Sequence, residues 1–256
     1  VDGKMSGVVE SRNFQVLFYR TDILERLNLE VPDTWEDVKL IMPELKRNGM
    51  NFHVALASHT GNKPIATTSY YFAQNGAPLY SEDGMTTAIN EEKGQEAFDL
   101  LTSLFGTYSI PVTTENFFNS FRYGRIPIGI SNLDTYIKLK NGAPEIAGMW
   151  DIAPSPGIMD ENGVVHRDQT SAGETAVIMK RTTMKNEAWD FLKWWLSTEV
   201  QEEYGFIMQT KFGPTYIWNT ANEEAFQSTD IEKQHMDVIF EQWKWTYEVP
   251  LHPASY

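Results

Sequence analysis

The chain has 256 residues, of which 21 are Lys or Arg and 35 are Asp or Glu, so its net charge is −14 with neutral His. A surface this acidic repels nucleic-acid phosphates and anionic lipid headgroups, and we expect neither as a partner. The chain contains no Cys, which rules out disulfide bonds, a thiolate nucleophile and Cys-based metal centres.

Aromatic residues are abundant, since Phe, Trp and Tyr together make up 13% of the chain. Many of these rings are needed for the core. An acidic surface with surplus Trp and Tyr is also typical of proteins that hold neutral polar ligands, because rings stack on the C–H faces of a sugar without needing a charged ligand. Composition alone leaves both explanations open.

In chain order the sequence patterns predict strands that alternate with helices. The first strand, at 14–19, is a short apolar run, and Thr34 with Asp37 has the spacing of a helix capping box. The Tyr-rich segment 68–72 is predicted to be either a short helix or a binding loop. Further strands are predicted at 51–58, 126–131, 149–153 and 175–179, and helices at 23–28, 35–48, 91–105, 117–121, 133–140, 186–196, 199–208 and 231–243.

Two local patterns carry more specific expectations. Asn162-Gly163 between apolar pairs predicts a type I′ hairpin, which we prefer to a calcium loop because Gly stands at the fourth position from Asp160 rather than the sixth. The apolar spacing of 189–195 predicts that the Trp-rich stripe of this helix packs in the core.

The sequence contains no pattern that specifies catalysis or a metal site. It lacks H-E-x-x-H, the phosphate-binding G-x-x-x-x-G-K-[ST] and the dinucleotide-binding G-x-G-x-x-G. Ser131 follows Gly129 but lacks the second glycine of a nucleophile elbow, because Leu133 stands there, and no His is obviously placed to serve it. A hydrolase triad is therefore disfavoured. Carboxylates are numerous, so a glycosidase-like pair of acids stays open on residue counts alone. We expect no metal ion and no cofactor.

Six short motifs follow one another across nearly the whole chain. They are Gly7-Val8-Val9-Glu10, the segment 16–24, Val31-Pro32-Asp33-Thr34-Trp35, Phe121-Arg122-Tyr123-Gly124-Arg125, the segment 150–157 and the segment 185–191. No single motif is specific, but their order resembles the family 1 extracellular solute-binding proteins, the carbohydrate receptors of ABC importers.

This resemblance implies an α/β fold of the periplasmic-binding-protein-like type II class, in which helices flank a mixed sheet. Residues 1–256 are then a partial solute-binding domain that lacks most of the first lobe. Residues 8–155 and 211–256 are expected to form the second lobe. The strand and helix at 168–210 are expected to complete the first lobe.

The resemblance also implies a site between the lobes, where aromatic rings stack on sugar faces and polar side chains bind hydroxyl groups. We expect Tyr70, Asp134 and Tyr256 to line one crevice. The full set of candidate ligand-binding residues is Glu10, Ser11, Arg12, Tyr70, Tyr71, Asn132, Asp134, Tyr136, Glu174 and Tyr256.

The implied function is binding of a sugar or oligosaccharide without catalysis, as the extracellular receptor of a carbohydrate ABC transporter. Its partners would be the carbohydrate and the permease subunits. It would be a cell-surface lipoprotein or a periplasmic protein, held at the membrane only by an N-terminal anchor outside this chain. The alternatives are a carbohydrate-active enzyme and a sensor or scaffold domain that has lost ligand binding.

Overall fold

A computed structural model of the chain describes residues 7–54, 64–81, 84–112, 116–171 and 173–247. Strands and helices alternate through most of this part of the chain. The strands are β1 (Val8–Val9), β2 (Gln15–Tyr19), β3 (Phe52–His53), β4 (Ile128–Asn132), β5 (Asp151–Ala153), β6 (Ile158–Met159), β7 (Val165–His166), β8 (Gln169–Thr170), β9 (Thr175–Ala176) and β10 (Thr246–Tyr247). The helices are α1 (Thr21–Leu27), α2 (Trp35–Arg47), α3 (Pro64–Gln74), α4 (Glu92–Gly106), α5 (Phe117–Arg122), α6 (Leu133–Gly142), α7 (Lys185–Trp195), α8 (Thr198–Phe212), α9 (Glu223–Phe226) and α10 (Lys233–Trp243).

A four-stranded mixed sheet with the order β3-β4-β2-β5 is the largest sheet in the described part of the chain. Strand β2 is antiparallel to both β4 and β5, whereas β3 is parallel to β4. Because of this arrangement, β2 begins at the edge of the sheet where β3, β4 and β5 end. Three smaller two-stranded pairings join β1 to β9, β10 to β8, and β6 to β7.

The sheet separates two hydrophobic cores, because successive side chains of a strand point to opposite faces. Val16 and Phe18 of β2 pack into a core with α5, α6, α9 and α10. Leu17 points the other way and packs with Ile128 and Ile130 of β4 against α1 to α4. The predicted mixed α/β fold with helices on the sheet is thereby confirmed. None of the described helices combines the length and the apolar character that crossing a bilayer requires.

The structure confirms one local sequence prediction, the capping box of α2, and corrects another, the turn type of the β6–β7 hairpin. The capping box of α2 is confirmed, since the Thr34 hydroxyl accepts from the Asp37 amide at 3.2 Å and the Asp37 carboxylate accepts from the Thr34 amide at 2.9 Å. The β6–β7 hairpin forms, but its turn is not type I′ because Gly163 has a positive φ of 80° and Asn162 does not. The Asp160 carboxylate instead accepts from the amides of Asn162 and Val164.

Helix α7 differs from the prediction that its Trp-rich stripe packs in the core. It has no buried residue, and Trp189, Phe191 and Trp194 are 43%, 57% and 56% exposed. The apolar spacing correctly indicated a helix, but within the described residues nothing covers this face. Other large apolar side chains of the same stretch are exposed as well, namely Val177, Met179, Met184, Phe206, Ile207 and Phe212.

Strands β3 and β4 approach so closely that one position tolerates only glycine. A Cβ added to Gly129 would lie 2.4 Å from the Cβ of His53 and 2.8 Å from its amide nitrogen. We expect Gly129→Ala to lower the free energy of unfolding by about 1–3 kcal/mol, because the strands must separate. Urea unfolding measures this. The control is Gly106→Ala, where a Cβ meets nothing within 4 Å. Equal stability of the two variants would contradict the tight approach.

Acid should destabilise the fold through His53, which is buried and stacks on Phe117 with ring centroids 4.4 Å apart. Burial lowers the pKa of His53 from 6.5 to about 4. The unfolded chain therefore binds the proton more tightly, and this contribution to stability falls as the pH decreases from 6.5 to 4. The integrated loss is about 3 kcal/mol.

The measurement is the free energy of unfolding as a function of pH for the wild type and for His53→Gln. Because carboxylates titrate in the same range, only the difference between the two proteins isolates His53. We expect a smaller fall for the variant, and identical pH profiles would contradict the role of this histidine.

Candidate functional site

A cleft of about 390 Å³ lies where three segments that are distant in sequence meet. The first is the turn after β1, the second precedes β9, and the third follows α8. The cleft collects four kinds of group, namely a cation, a carboxylate, amide side chains and aromatic rings. Its lining residues are Ser11, Arg12, Asn13, Gly173, Glu174, Tyr216, Ile217, Trp218 and Asn219.

Backbone hydrogen bonds fix the three segments relative to one another. The Glu10 amide donates to the Glu174 carbonyl at 2.8 Å, and the Arg12 amide donates to the Asn219 carbonyl at 2.8 Å. In the opposite direction, the Ala221 amide donates to the Glu10 carbonyl at 2.9 Å. The turn at 10–12 is thus bonded on both sides, which holds its side chains in a defined position.

Ser11 and Glu174 both line the cleft and are joined by a hydrogen bond. The Ser11 hydroxyl accepts from the Glu174 amide at 3.0 Å. Gly173 lies so close to this turn that an added Cβ would come within 2.0 Å of the Ser11 carbonyl oxygen. The Glu174 side chain is exposed. The bond to Ser11 uses only the backbone of Glu174, so its carboxylate is available to accept hydrogen bonds from a ligand.

Arg12 is oriented by two contacts on its far side. Its Nη1 donates to the Thr246 hydroxyl at 2.9 Å, and its guanidinium carbon lies 5.7 Å from the centre of the Trp243 ring. A cation over an aromatic face is attracted to the ring quadrupole. These contacts use only part of the guanidinium, which carries five N–H donors.

Glu10 does not line the cleft but holds a neighbouring element in place. Its carboxylate accepts from the indole nitrogen of Trp195 at 2.7 Å, which ties the end of α7 to the turn after β1. The ligand-binding role of Glu10 stays a prediction. The hydrogen bond to Trp195 assigns it a positioning role.

Two amide oxygens near the cleft have no hydrogen-bond partner among the described residues, Oδ1 of Asn13 and Oδ1 of Asn219. Both atoms are shielded from solvent, and an unpaired buried acceptor is unfavourable. Both side chains belong to residues that line the cleft. A rotation of either amide toward a ligand hydroxyl would satisfy this acceptor.

Asn132, Asp134 and Tyr136 lie at the same edge of the sheet but do not line the cleft. Asn132 ends β4 opposite Gln15, the first residue of β2. Asp134 is exposed in the first turn of α6. Tyr136 is buried, with 1% of its surface exposed. Its ring faces the core, so the structure does not offer it to a ligand.

The Tyr136 hydroxyl belongs to a buried hydrogen-bonded series. It lies 2.9 Å from Nδ1 of His235, and Nε2 of His235 lies 2.8 Å from the Asp151 carboxylate. Burial raises the pKa of Tyr136 to about 12. Burial also opposes ionisation of Asp151, but hydrogen bonds from His235 and from the Ile152 amide outweigh it and keep the pKa of this carboxyl below its usual value. The series joins α6, α10 and β5.

Tyr70 and Tyr71 pack inside the core beneath α2, which corrects their predicted stacking role. Tyr70 is 5% exposed and Tyr71 is fully buried, with its ring centroid 4.9 Å from that of Trp35. Burial raises the pKa of both hydroxyls above their usual range. The segment is helical, so the helix alternative was correct. Tyr70 and Asp134 therefore share no crevice, and Tyr256 lies outside the described residues.

Sequence reasoning missed the third wall of the cleft, which Tyr216, Trp218 and Asn219 supply, and also missed Asn13 in the first segment. A signal was present, since two aromatic residues occur within three positions of a loop. Burial and the electrostatic and hydrogen-bond interaction with Tyr204 raise the pKa of the Tyr216 phenol above its usual value. Among the residues that the structure describes, no three His, Asp or Glu side chains are grouped to hold a metal ion.

The sequence profile of a family described as bacterial extracellular solute-binding protein matches residues 6–202. No curated protein sequence is significantly similar to the chain.

Several solved structures share the fold. The sugar-binding protein MalE from the phytopathogen Xanthomonas citri is 18% identical, with a TM-score of 0.77 over 100% of this chain. The GacH receptor of Streptomyces glaucescens, solved unliganded and with acarbose, is 17% identical, with a TM-score of 0.68 over 98% of this chain. A substrate-binding protein from Listeria monocytogenes in complex with cycloalternan is 20% identical, with a TM-score of 0.67 over 98%. The chain spans 62% of the length of each of these three proteins.

Proposed function

The chain belongs to the bacterial extracellular solute-binding proteins, and we propose that it is part of the substrate-binding component of a carbohydrate ABC importer. Of three proteins of the same fold, one is a sugar-binding protein, one was solved with acarbose and one with cycloalternan. The observation that carries the proposal is the convergence of Ser11, Arg12 and Glu174 with two aromatic rings in one cleft. This combination suits an uncharged, hydroxyl-rich ligand.

In this proposal the polar groups of the cleft divide the hydroxyls of a sugar between them. Glu174 accepts from hydroxyl groups, and the unused N–H groups of Arg12 donate to ring or hydroxyl oxygens. Tyr216 and Trp218 present rings to the C–H faces of the sugar. One cation and one carboxylate line the cleft, so that no net charge is demanded of the ligand.

We propose that residues 168–210 complete a first lobe whose main part lies outside this chain. The exposed apolar face of α7 supports this, because three large rings in contact with water are unfavourable unless another surface covers them. The chain's coverage of 62% of its structural neighbours agrees with such a partial receptor. Residues 8–155 and 211–256 would form the second lobe, and closure of the two lobes would enclose the ligand.

The proposed role is binding without catalysis, with release of the intact sugar to permease subunits. The Tyr136–His235–Asp151 series has the order of an acid–base relay, but its terminal hydroxyl is buried and inaccessible to a substrate. The cleft is open rather than filled by side chains, which favours a receptor over a scaffold domain. The protein would act outside the cell, in the periplasm or as a lipoprotein held by an N-terminal anchor.

Isothermal titration of the full-length protein against a panel of neutral oligosaccharides tests the proposal. We expect saturable heat with at least one saccharide, and a loss of affinity of about tenfold to hundredfold in Glu174→Ala because a charged acceptor is removed. Glu25→Ala, an exposed glutamate of α1, is the control and should bind as the wild type does. The substrate class is wrong if no saccharide gives heat while a peptide does.

The 256-residue chain should bind the same saccharide much more weakly than the full-length protein, because it supplies only one of the two proposed walls. Titrating both proteins side by side measures the difference. Equal affinities would contradict the proposed division of the site between two lobes.

A further inference from the structure

Gln201 in α8 has a buried polar side chain that makes three hydrogen bonds. It is 1% exposed. Its Oε1 accepts from the indole nitrogen of Trp218 at 2.7 Å and from the hydroxyl of Thr220 at 2.7 Å. Its Nε2 donates to the carbonyl oxygen of Trp195 at 2.8 Å. The side chain is therefore satisfied as both acceptor and donor.

Each hydrogen-bond partner of Gln201 either lines the cleft or is bonded to a residue of the turn at 10–12. Trp218 lines it. Thr220 forms a β-bridge with Ser11, and Trp195 donates its indole N–H to Glu10. Gln201 thus stands behind the site and bonds to the elements that hold its walls.

Two cavities adjoin the wall formed by 216–220, namely the cleft and a second cavity of about 340 Å³. Tyr216, Ile217 and Trp218 line both of them. Ile217 packs against the core, but the empty space beside the wall reduces its packing contacts. Hydrogen bonds therefore matter more for holding the wall in one position.

Two pairs of aromatic rings lie beside the hydrogen bonds of Gln201. The ring centroids of Trp195 and Tyr204 are 5.0 Å apart, and those of Tyr204 and Trp218 are 5.1 Å apart, both edge to face. Such pairs fix the angle of a ring but not its position along the wall, whereas the bond from the indole of Trp218 to Gln201 sets both.

We propose that Gln201 is a positioning residue that fixes the Tyr216–Thr220 wall in the arrangement that binds the saccharide. The proposal rests on the proposed function of the cleft. Gln suits the position because it accepts two hydrogen bonds and donates one while remaining neutral. Glu would lose the donor and bury a charge, and Met would fill the volume but make none of the three bonds.

Gln74 provides a matched control within the same chain. It is 3% exposed, its Oε1 accepts from the indole nitrogen of Trp35 at 2.8 Å, and its Nε2 donates to the Asp168 carbonyl at 3.1 Å. It therefore repeats the indole–amide–carbonyl pattern of Gln201. Its partners are Trp35 at the start of α2 and Asp168 just before β8, and neither lines the cleft.

The first experiment compares Gln201→Met and Gln74→Met in the full-length protein by saccharide titration. Both variants lose an indole–amide hydrogen bond, so both should unfold at lower urea concentration. Only Gln201→Met should lose affinity, by about tenfold if the wall occupies its binding arrangement in about a tenth of the molecules. Affinity equal to the wild type in Gln201→Met overturns the proposal, and so does an equal loss in both variants.

A second experiment keeps the test independent of saccharide binding. Amide hydrogen exchange of the 256-residue chain should be about tenfold faster at Tyr216 and Thr220 in Gln201→Met and unchanged there in Gln74→Met, because local opening of the wall becomes easier. If the wild type binds no saccharide, the proposed function fails, while faster exchange still supports the role of Gln201 in holding the wall. Unchanged exchange at 216–220 overturns that role.

Discussion

The candidate site depends on the pairing of one short turn with two segments that are remote in sequence. The amides of Glu10 and Arg12 donate to the carbonyls of Glu174 and Asn219, and the amide of Ala221 returns a bond to Glu10. These contacts join the turn after β1 to the segment before β9 and to the loop after α8. They also place the side chains of the turn beside a carboxylate and two aromatic rings. The same backbone bonds thus shape the cleft for which we propose ligand binding.

The two parts of the chain differ in how completely they are packed. The sheet residues Val16, Leu17 and Phe18 are fully buried between helices on both faces. In contrast, α7 buries none of its residues, although four of its 11 residues are aromatic. Hydrogen bonds join the α7–α8 pair to the rest of the described chain. They run from Trp195 to Glu10, from Trp218 and Thr220 to Gln201, and between α8 and the segment 222–228.

Local patterns predicted most elements of the fold, because they depend on neighbours in sequence. The capping box at Thr34 and the strand at 14–19 are examples, and the order of short motifs indicated the family. The site was harder, because burial depends on contacts that periodicity does not encode. Tyr71 and Tyr136 carried the right chemistry but face the core, whereas Trp218 lines the cleft only because α8 turns its loop toward Ser11. The prediction that the apolar stripe of α7 packs in the core was wrong for a different reason. Apolar spacing indicates that one face of a helix needs to be covered, but it does not indicate which surface covers it.

The most direct measurement of the central claim is a crystal structure of the full-length protein with a bound neutral oligosaccharide. The account predicts that a sugar ring lies in contact with Glu174 and Arg12, between the proposed second lobe and the surface that covers α7, with Tyr216 or Trp218 against its C–H face. A saccharide bound elsewhere, with the cleft between residues 11–13, 173–174 and 216–219 occupied only by water, would contradict it.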